Sequence, residues 1–277
     1  MDGDSLESVQ SSTARKRVSR IPFGIDTLDG HFGGLPSGSA VLLAGARDAG
    51  VNAFAHTLMA GVITAAYEPE RYPGTIPTDI ERLPERVRYV TLSNDKTHLL
   101  YELESILDSE NFDRLTDHMV LHDRSQQFAD ILSDDSATMH TLLNEVKELL
   151  IEGAQNELVV FDSLTSLVRA TEFELTQRDL LSFLVQLRRA VTGGDGLALI
   201  KSYRRAELAR DDELLNGLLH GNIFFYSNDQ GFETQRTMRI GSFGGVLDRK
   251  RQSVYRTLIT SEGFAVKSTR KISPTKW

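Results

Sequence analysis

The chain has 277 residues, 40% of them hydrophobic and 25% charged, with a net charge of −8 and no cysteine. That length suits one large domain or two small ones with a buried core, and the missing thiols exclude disulfides and thiolate metal sites. The acidic balance argues against non-specific nucleic-acid binding, which needs a positive face.

Residues 1–19 are polar and Ser-rich, with one basic cluster, Arg15-Lys16-Arg17, and read as a solvated tail. They hold no signal-peptide core, and no segment reaches the roughly 20 apolar residues of a membrane helix, so a cytoplasmic location is expected. From Ile21 apolar residues lead to a glycine-rich turn, Gly33 to Gly38. Ala40–Ala44 is an apolar run bounded by glycine, read as a buried strand. Asn52 to about Ala66 follows as a helix of small apolar residues. Four prolines (Pro69, Pro73, Pro77, Pro84) mark residues 68–86 as a long surface connection.

Val87–Leu92 is the next strand and Thr97–Leu107 the next helix, with Leu99, Leu100, Leu103, Ile106 and Leu107 on one face. Met119–Leu121 is a short strand. Met139, Leu142, Leu143, Val146, Leu149 and Leu150 keep helical spacing. Leu158–Phe161 is a strand ending in Asp162. Another helix carries Leu180, Leu181, Leu184 and Leu187, with Thr176 and Asp179 spaced as a capping box. Leu197–Ile200 and Ile223–Tyr226 are strands. Period-2 alternation around Thr237–Ile240, Val254–Ile259 and Phe264–Val266 predicts antiparallel strands. The fold class is therefore α/β: a mainly parallel sheet flanked by helices and closed by β-hairpins. One domain is expected over 20–273, with a short tail at 274–277.

The segments Phe23-Gly24-Ile25-Asp26-Thr27-Leu28-Asp29 and Phe32-Gly33-Gly34-Leu35-Pro36-Ser37-Gly38 carry a likeness. They resemble the opening of KaiC-like and archaeal RecA-like ATPases: a G-I-x-x-L-D segment, a G-G-L-P-x-G turn, then a strand entering a P-loop. Asn156–Ser163 is similar to that family's Walker B strand, and Ile259–Phe264 to its closing hairpin. The resemblance implies a RecA-like P-loop NTPase fold.

A Walker A loop reads G-x-x-x-x-G-K-[ST]; its backbone N–H groups surround phosphate, its lysine neutralises charge and its hydroxyl holds Mg²⁺. The aligned octet is Gly45, Ala46, Arg47, Asp48, Ala49, Gly50, Val51 and Asn52. Both glycines are in place; valine replaces the lysine and asparagine the hydroxyl residue. Removing one positive charge at about 4 Å removes on the order of 4 kcal/mol of attraction at an effective dielectric of about 20. Asp48 adds a carboxylate to a loop meant for anions, and Arg47 either compensates or pairs with Asp48.

By the same resemblance Asp162 is the family's magnesium-holding carboxylate; here it is expected to cap the following turn instead. Ser93 and Asn94 stand where the family carries glutamates, and neither is a competent general base. Asp95 is displaced by one residue. Arg236 and Arg239 do not reproduce the family's Lys-x-Arg pair and read as solvated strand-face charges. Lys201, Arg204 and Arg205 read as charges on a solvated loop, with a displaced phosphate-binding cation as the other reading. Arg249, Lys250 and Arg251 read as a hairpin tip. Histidine spacing suggests no metal site.

The expected function is a hydrolysis-deficient KaiC/RecA-like regulatory or assembly protein, with no catalytic residues and no firmly held cofactor; ATP and Mg²⁺ would bind weakly. It would act through protein contacts, with an active paralogue or with copies of itself. Two alternatives stay open. One is an ATP-binding, signalling KaiC-like ATPase with a non-standard P-loop, using Lys201 or Arg47 as its cation. The other is a recombinase paralogue whose Arg204, Arg205, Arg249 and Arg251 form a positive face for DNA.

Overall fold

The computed structural model describes residues 19–74, 76, 83–133, 138–172, 174–203, 217–230, 233–243 and 254–267. The basic cluster at 15–17, Arg204, Arg205 and the run 249–251 lie outside the described residues.

The central strand is β3 (Ser39–Gly45), buried along its whole length. Burial on both faces is why it reads as a continuous apolar run without alternation. Parallel to it lie β7 (Leu197–Ser202), β6 (Leu158–Asp162), β4 (Val87–Thr91) and β5 (Met119–Asp123) on one side, and β8 (Gly221–Gln230) on the other. Antiparallel strands β9 (Glu233–Phe243), β10 (Val254–Thr260) and β11 (Gly263–Lys267) extend the sheet beyond β8. The nine-stranded order is β11-β10-β9-β8-β3-β7-β6-β4-β5, and a two-stranded sheet of β1 (Arg20–Ile21) and β2 (Leu35–Pro36) stands apart.

Helices cover both faces, as parallel strands require. One face carries α1 (Asp26–Phe32), α2 (Val51–Tyr67), α3 (Lys96–Ile106) and α4 (Ser109–Asp117). The other carries α5 (Ser125–Ser133), α6 (Met139–Gly153), α7 (Leu164–Ala170) and α8 (Gln177–Gly194). Alternate residues of each strand serve alternate cores: Val41 and Leu43 face α2, whereas Ala40, Leu42 and Ala44 face the α6–α8 layer. Helix α2 is buried almost all round, and its small residues permit a close approach. A Cβ on Gly61 would lie 2.3 Å from the Gly24 Cα, so the opening segment crosses α2 backbone to backbone.

The capping box at α8 is present in both directions: the Asp179 amide donates to Thr176 Oγ1 at 3.2 Å, and the Thr176 amide to Asp179 Oδ2 at 2.8 Å. The described part of the 68–86 connection is not merely superficial. Tyr72 and Leu83 are buried against Ala65, and the Tyr72 hydroxyl donates to Asp29. Helices α1, α4, α5 and α7 were not predicted. They are seven to nine residues long, too short for several turns of apolar repeat.

Candidate functional site

The carboxyl ends of the parallel strands bring the candidate residues together, the edge where sheets of this kind take ligands. Gly45 ends β3 and is pressed against β8: a Cβ there would lie 2.6 Å from the Phe225 carbonyl oxygen. Ala46 is extended, and Arg47–Ala49 form one 3₁₀ turn whose Ala49 amide donates to the Ala46 carbonyl at 3.0 Å. Gly50 has φ 102° and would place a Cβ 3.1 Å from the Phe264 ring. Both reasons require glycine. Val51 opens α2 with its side chain wholly buried in the core.

Arg47 and Asp48 are exposed. The Arg47 guanidinium lies over the Tyr203 ring, 4.2 Å from its centroid, a cation–π contact rather than a pairing with Asp48. Arg236, expected on a solvated strand face, is instead half-buried, and its Nε donates to the Asp48 carbonyl at 2.7 Å.

Asp162 corrects the expected capping role. Its side chain is fully buried, and the helix that follows has no side-chain cap at Ser163. Strand parity explains its direction: Leu158, Val160 and Asp162 share the α2 face. By the same alternation Leu197, Leu199 and Lys201 point to that face, and Asp162 is the register partner of Lys201. Lys201 is therefore no solvated loop charge. It is completely buried, and its Nζ donates to Asp162 Oδ2 at 2.7 Å and to the Tyr89 hydroxyl at 2.8 Å. Tyr89 in turn donates to Asp162 Oδ2 at 2.8 Å.

A second chain of contacts reaches outward. The Tyr203 hydroxyl lies 2.8 Å from Asn52 Oδ1 and 3.1 Å from Asp162 Oδ2, its one proton shared between the two acceptors. Asn52 Nδ2 donates to both carboxylate oxygens of Glu102 on α3, at 3.2 and 3.1 Å. His98 Nε2, one turn before Glu102, is 3.3 Å from its Oε1.

Charge follows from these contacts. Burial pushes the Asp162 carboxyl up, but the Lys201 ammonium and the hydrogen bonds from Lys201, Tyr89 and Tyr203 outweigh it and hold the group below the ordinary carboxylate range. Burial and the Asp162 charge raise both tyrosines well above the ordinary phenol value. His56 on α2 is fully buried nearby. Desolvation, then the Lys201 charge, push it down to about 3, so it is neutral at pH 7.

The Ser93 side chain is engaged away from this centre, and Asn94 is held through its backbone. The Ser93 hydroxyl is 3.0 Å from Ser163 Oγ and 3.2 Å from Ser166 Oγ, and the Asn94 backbone amide donates to Thr91 Oγ1 at 3.1 Å. Asp95 caps α3 by accepting from the His98 amide at 2.8 Å. Tyr89 and Tyr203 were not singled out from the sequence. Their signal was phase: Tyr89 is in step with Val87 of its strand, Tyr203, one residue past β7, continues the Leu197, Leu199, Lys201 alternation, and a buried phenol needs a partner.

No protein-family model matches the chain, and no curated protein matches it. Among solved structures, a KaiC-like protein from the hyperthermophilic archaeon Pyrococcus horikoshii OT3 is similar over 91% of this chain and 100% of its own, with a TM-score of 0.64 at 19% identity. The likeness establishes the fold, a KaiC-like α/β fold of the RecA type. Among the described residues, no helix is long and apolar enough to cross a membrane.

Proposed function

We propose that this chain keeps a RecA-like scaffold as a protein-binding platform and does not hydrolyse nucleotide. In this reading Gly45–Asn52 is a degenerate P-loop, and Asp162 is the equivalent of the magnesium-holding carboxylate. The observation that carries it is the loop itself. At the position of the phosphate-neutralising lysine, Val51 is buried in the apolar core.

The residues present do not fit a Mg-nucleotide. The Asn52 carbonyl oxygen, the nearest replacement for the magnesium hydroxyl, accepts from Tyr203. Asp162 is paired with Lys201. At an effective dielectric of about 20, a divalent ion about 4 Å from that ammonium would be repelled by roughly 8 kcal/mol, about as much as one carboxylate at that distance attracts it. The competing reading, an ATP-binding chain with Lys201 or Arg47 as substitute cation, requires one of them to leave its partner. Lys201 is bonded to Asp162 and Tyr89, and Arg47 rests on Tyr203.

Function would then reside in surfaces rather than in turnover, with a protein partner such as an active paralogue or a second copy of the chain. Titration of a fluorescent ATP analogue with Mg²⁺, paired with a phosphate-release assay, tests the reading. The expected result is no micromolar binding and no steady release. Tight binding with turnover would reject it.

A further inference from the structure

We infer that the Lys201 ammonium is a built-in counter-ion that takes the part a divalent cation would play at Asp162, so that this edge of the sheet assembles without metal. The inference deepens the reading above and rests on it only for the position assigned to Asp162.

Three observations meet here. First, the pair is completely buried, and its two members are held by adjacent strands at matching register positions. The ammonium is a fixed part of the sheet and not a surface side chain that happened to fold over. Second, the donors converge on one oxygen: Lys201 Nζ, the Tyr89 hydroxyl and the Tyr203 hydroxyl all reach Asp162 Oδ2. Oδ1 has no hydrogen-bond partner among the described residues. Third, α2 closes the centre with His56, whose two ring nitrogens also lack partners among the described residues. With His56 neutral, one carboxylate and one ammonium balance. A divalent ion would add charge to that balanced pair, and Glu102, whose charge also reaches Tyr89 and Tyr203, has both its oxygens engaged by Asn52 and one by His98.

The alternative arrangement can be written from the same residues. Without the ammonium, Asp162 would present a buried anion beside the oxygens of Tyr203 and Asn52, a hard oxygen set suited to Mg²⁺ or Mn²⁺. Lys201 is what separates the two states. A permanent internal cation makes the scaffold indifferent to divalent ions, as expected of a chain that holds its shape for a partner.

The test uses Mn²⁺ alone, without nucleotide, on the full chain. Free Mn²⁺ is read by electron paramagnetic resonance and stability by thermal unfolding. Wild type should bind no Mn²⁺ saturably and show no shift in Tm. Lys201→Met, which keeps the length and removes the charge, should lose Tm without metal and regain several degrees as Mn²⁺ saturates it, since a ligand of the folded form raises the midpoint. Lys201→Met combined with Asp162→Asn should fold and ignore Mn²⁺. The inference falls if wild type binds Mn²⁺ in a manner lost with Asp162→Asn, or if folded Lys201→Met ignores the metal. It falls also if Lys201→Met stays unfolded with Mn²⁺ while the double variant folds. Should neither variant fold, the wild-type titration decides. Mg-ATP binding by wild type would instead reject the functional reading, so the two failures are distinct.

Discussion

Among the described residues two aspartates are buried beside a tyrosine hydroxyl, and they solve the same problem differently. Asp29, 4% exposed, stands in the opening segment. It accepts from the backbone amides of Phe23 at 2.7 Å and Ile25 at 3.2 Å, and from Tyr72. Among the described residues no cation pairs with it. Burial dominates there, and the carboxyl sits above its ordinary range. Asp162 is buried more completely, yet it sits below that range, because Lys201 reverses the sign. Burial alone favours the neutral acid; one fixed ammonium restores the anion. The Asp29 centre fastens the glycine-rich opening to the 68–86 connection. The Asp162 centre joins the ends of β6 and β7, and there the carboxylate is electrically closed by its ammonium.

The comparison is most easily broken at Lys201. Lys201→Ala leaves a buried carboxylate without its counter-ion, and breaking one side of such a pair costs about 3–5 kcal/mol. Replacing both partners by neutral side chains of similar volume should recover most of that loss. Urea unfolding measures both. A loss below about 1 kcal/mol for Lys201→Ala would mean that the pair is not the charged, desolvated unit described here.

How much of this was legible beforehand differs between the frame and the centre. Strands β3, β6 and β7 announced themselves as apolar runs because both of their faces are covered. Thr176 and Asp179 marked the start of α8 by local chemistry alone. The alternation in β9–β11 gave their antiparallel character. The centre was harder. Lys201 lies close to Arg204 and Arg205, and a basic cluster after a strand reads as a loop. Strand β7 in fact runs to Ser202, which keeps Lys201 in phase with Leu197 and Leu199. That phase could have been counted. Its partner could not: Asp162 is 39 residues away and Tyr89 is 112, and such pairings are set by strand order, which no local pattern carries. Helix α4 escaped for another reason, since only Leu115 of its nine residues is buried.

A titration sharpens the contrast in sign. Asp29 has its folded value raised, so between the ordinary 3.8 and that higher value the folded state holds more protons than the unfolded one. Its contribution is greatest in acid and declines as pH rises. Asp162 has its folded value lowered, so its contribution is present above 3.8 and disappears as pH falls through the depressed value. The stability of wild type minus that of Asp29→Asn should therefore fall from pH 4 upward, and wild type minus Asp162→Asn should fall on acidifying below it. Two difference curves of the same slope would contradict the opposite environments of the two carboxylates.

The smallest effects come from the tyrosines, and they test how each centre shares its hydrogen bonds. Tyr72 is the one side-chain donor to Asp29 among the described residues, and its oxygen also accepts from the Gly24 amide at 3.0 Å. Tyr72→Phe removes both contacts, orphans a backbone amide, and should cost about 2 kcal/mol. Tyr203 is one of three donors at Asp162 Oδ2, and Lys201 and Tyr89 remain when its hydroxyl is lost. Tyr203→Phe should then cost about 1 kcal/mol, chiefly through the Asn52 carbonyl left without its donor. It should leave the acid dependence of Asp162 almost unmoved, because the ammonium that sets that dependence is still in place. If Tyr203→Phe instead costs more than Tyr72→Phe, the outward chain through Asn52 and Glu102 holds the centre together, and the ammonium is the lesser support.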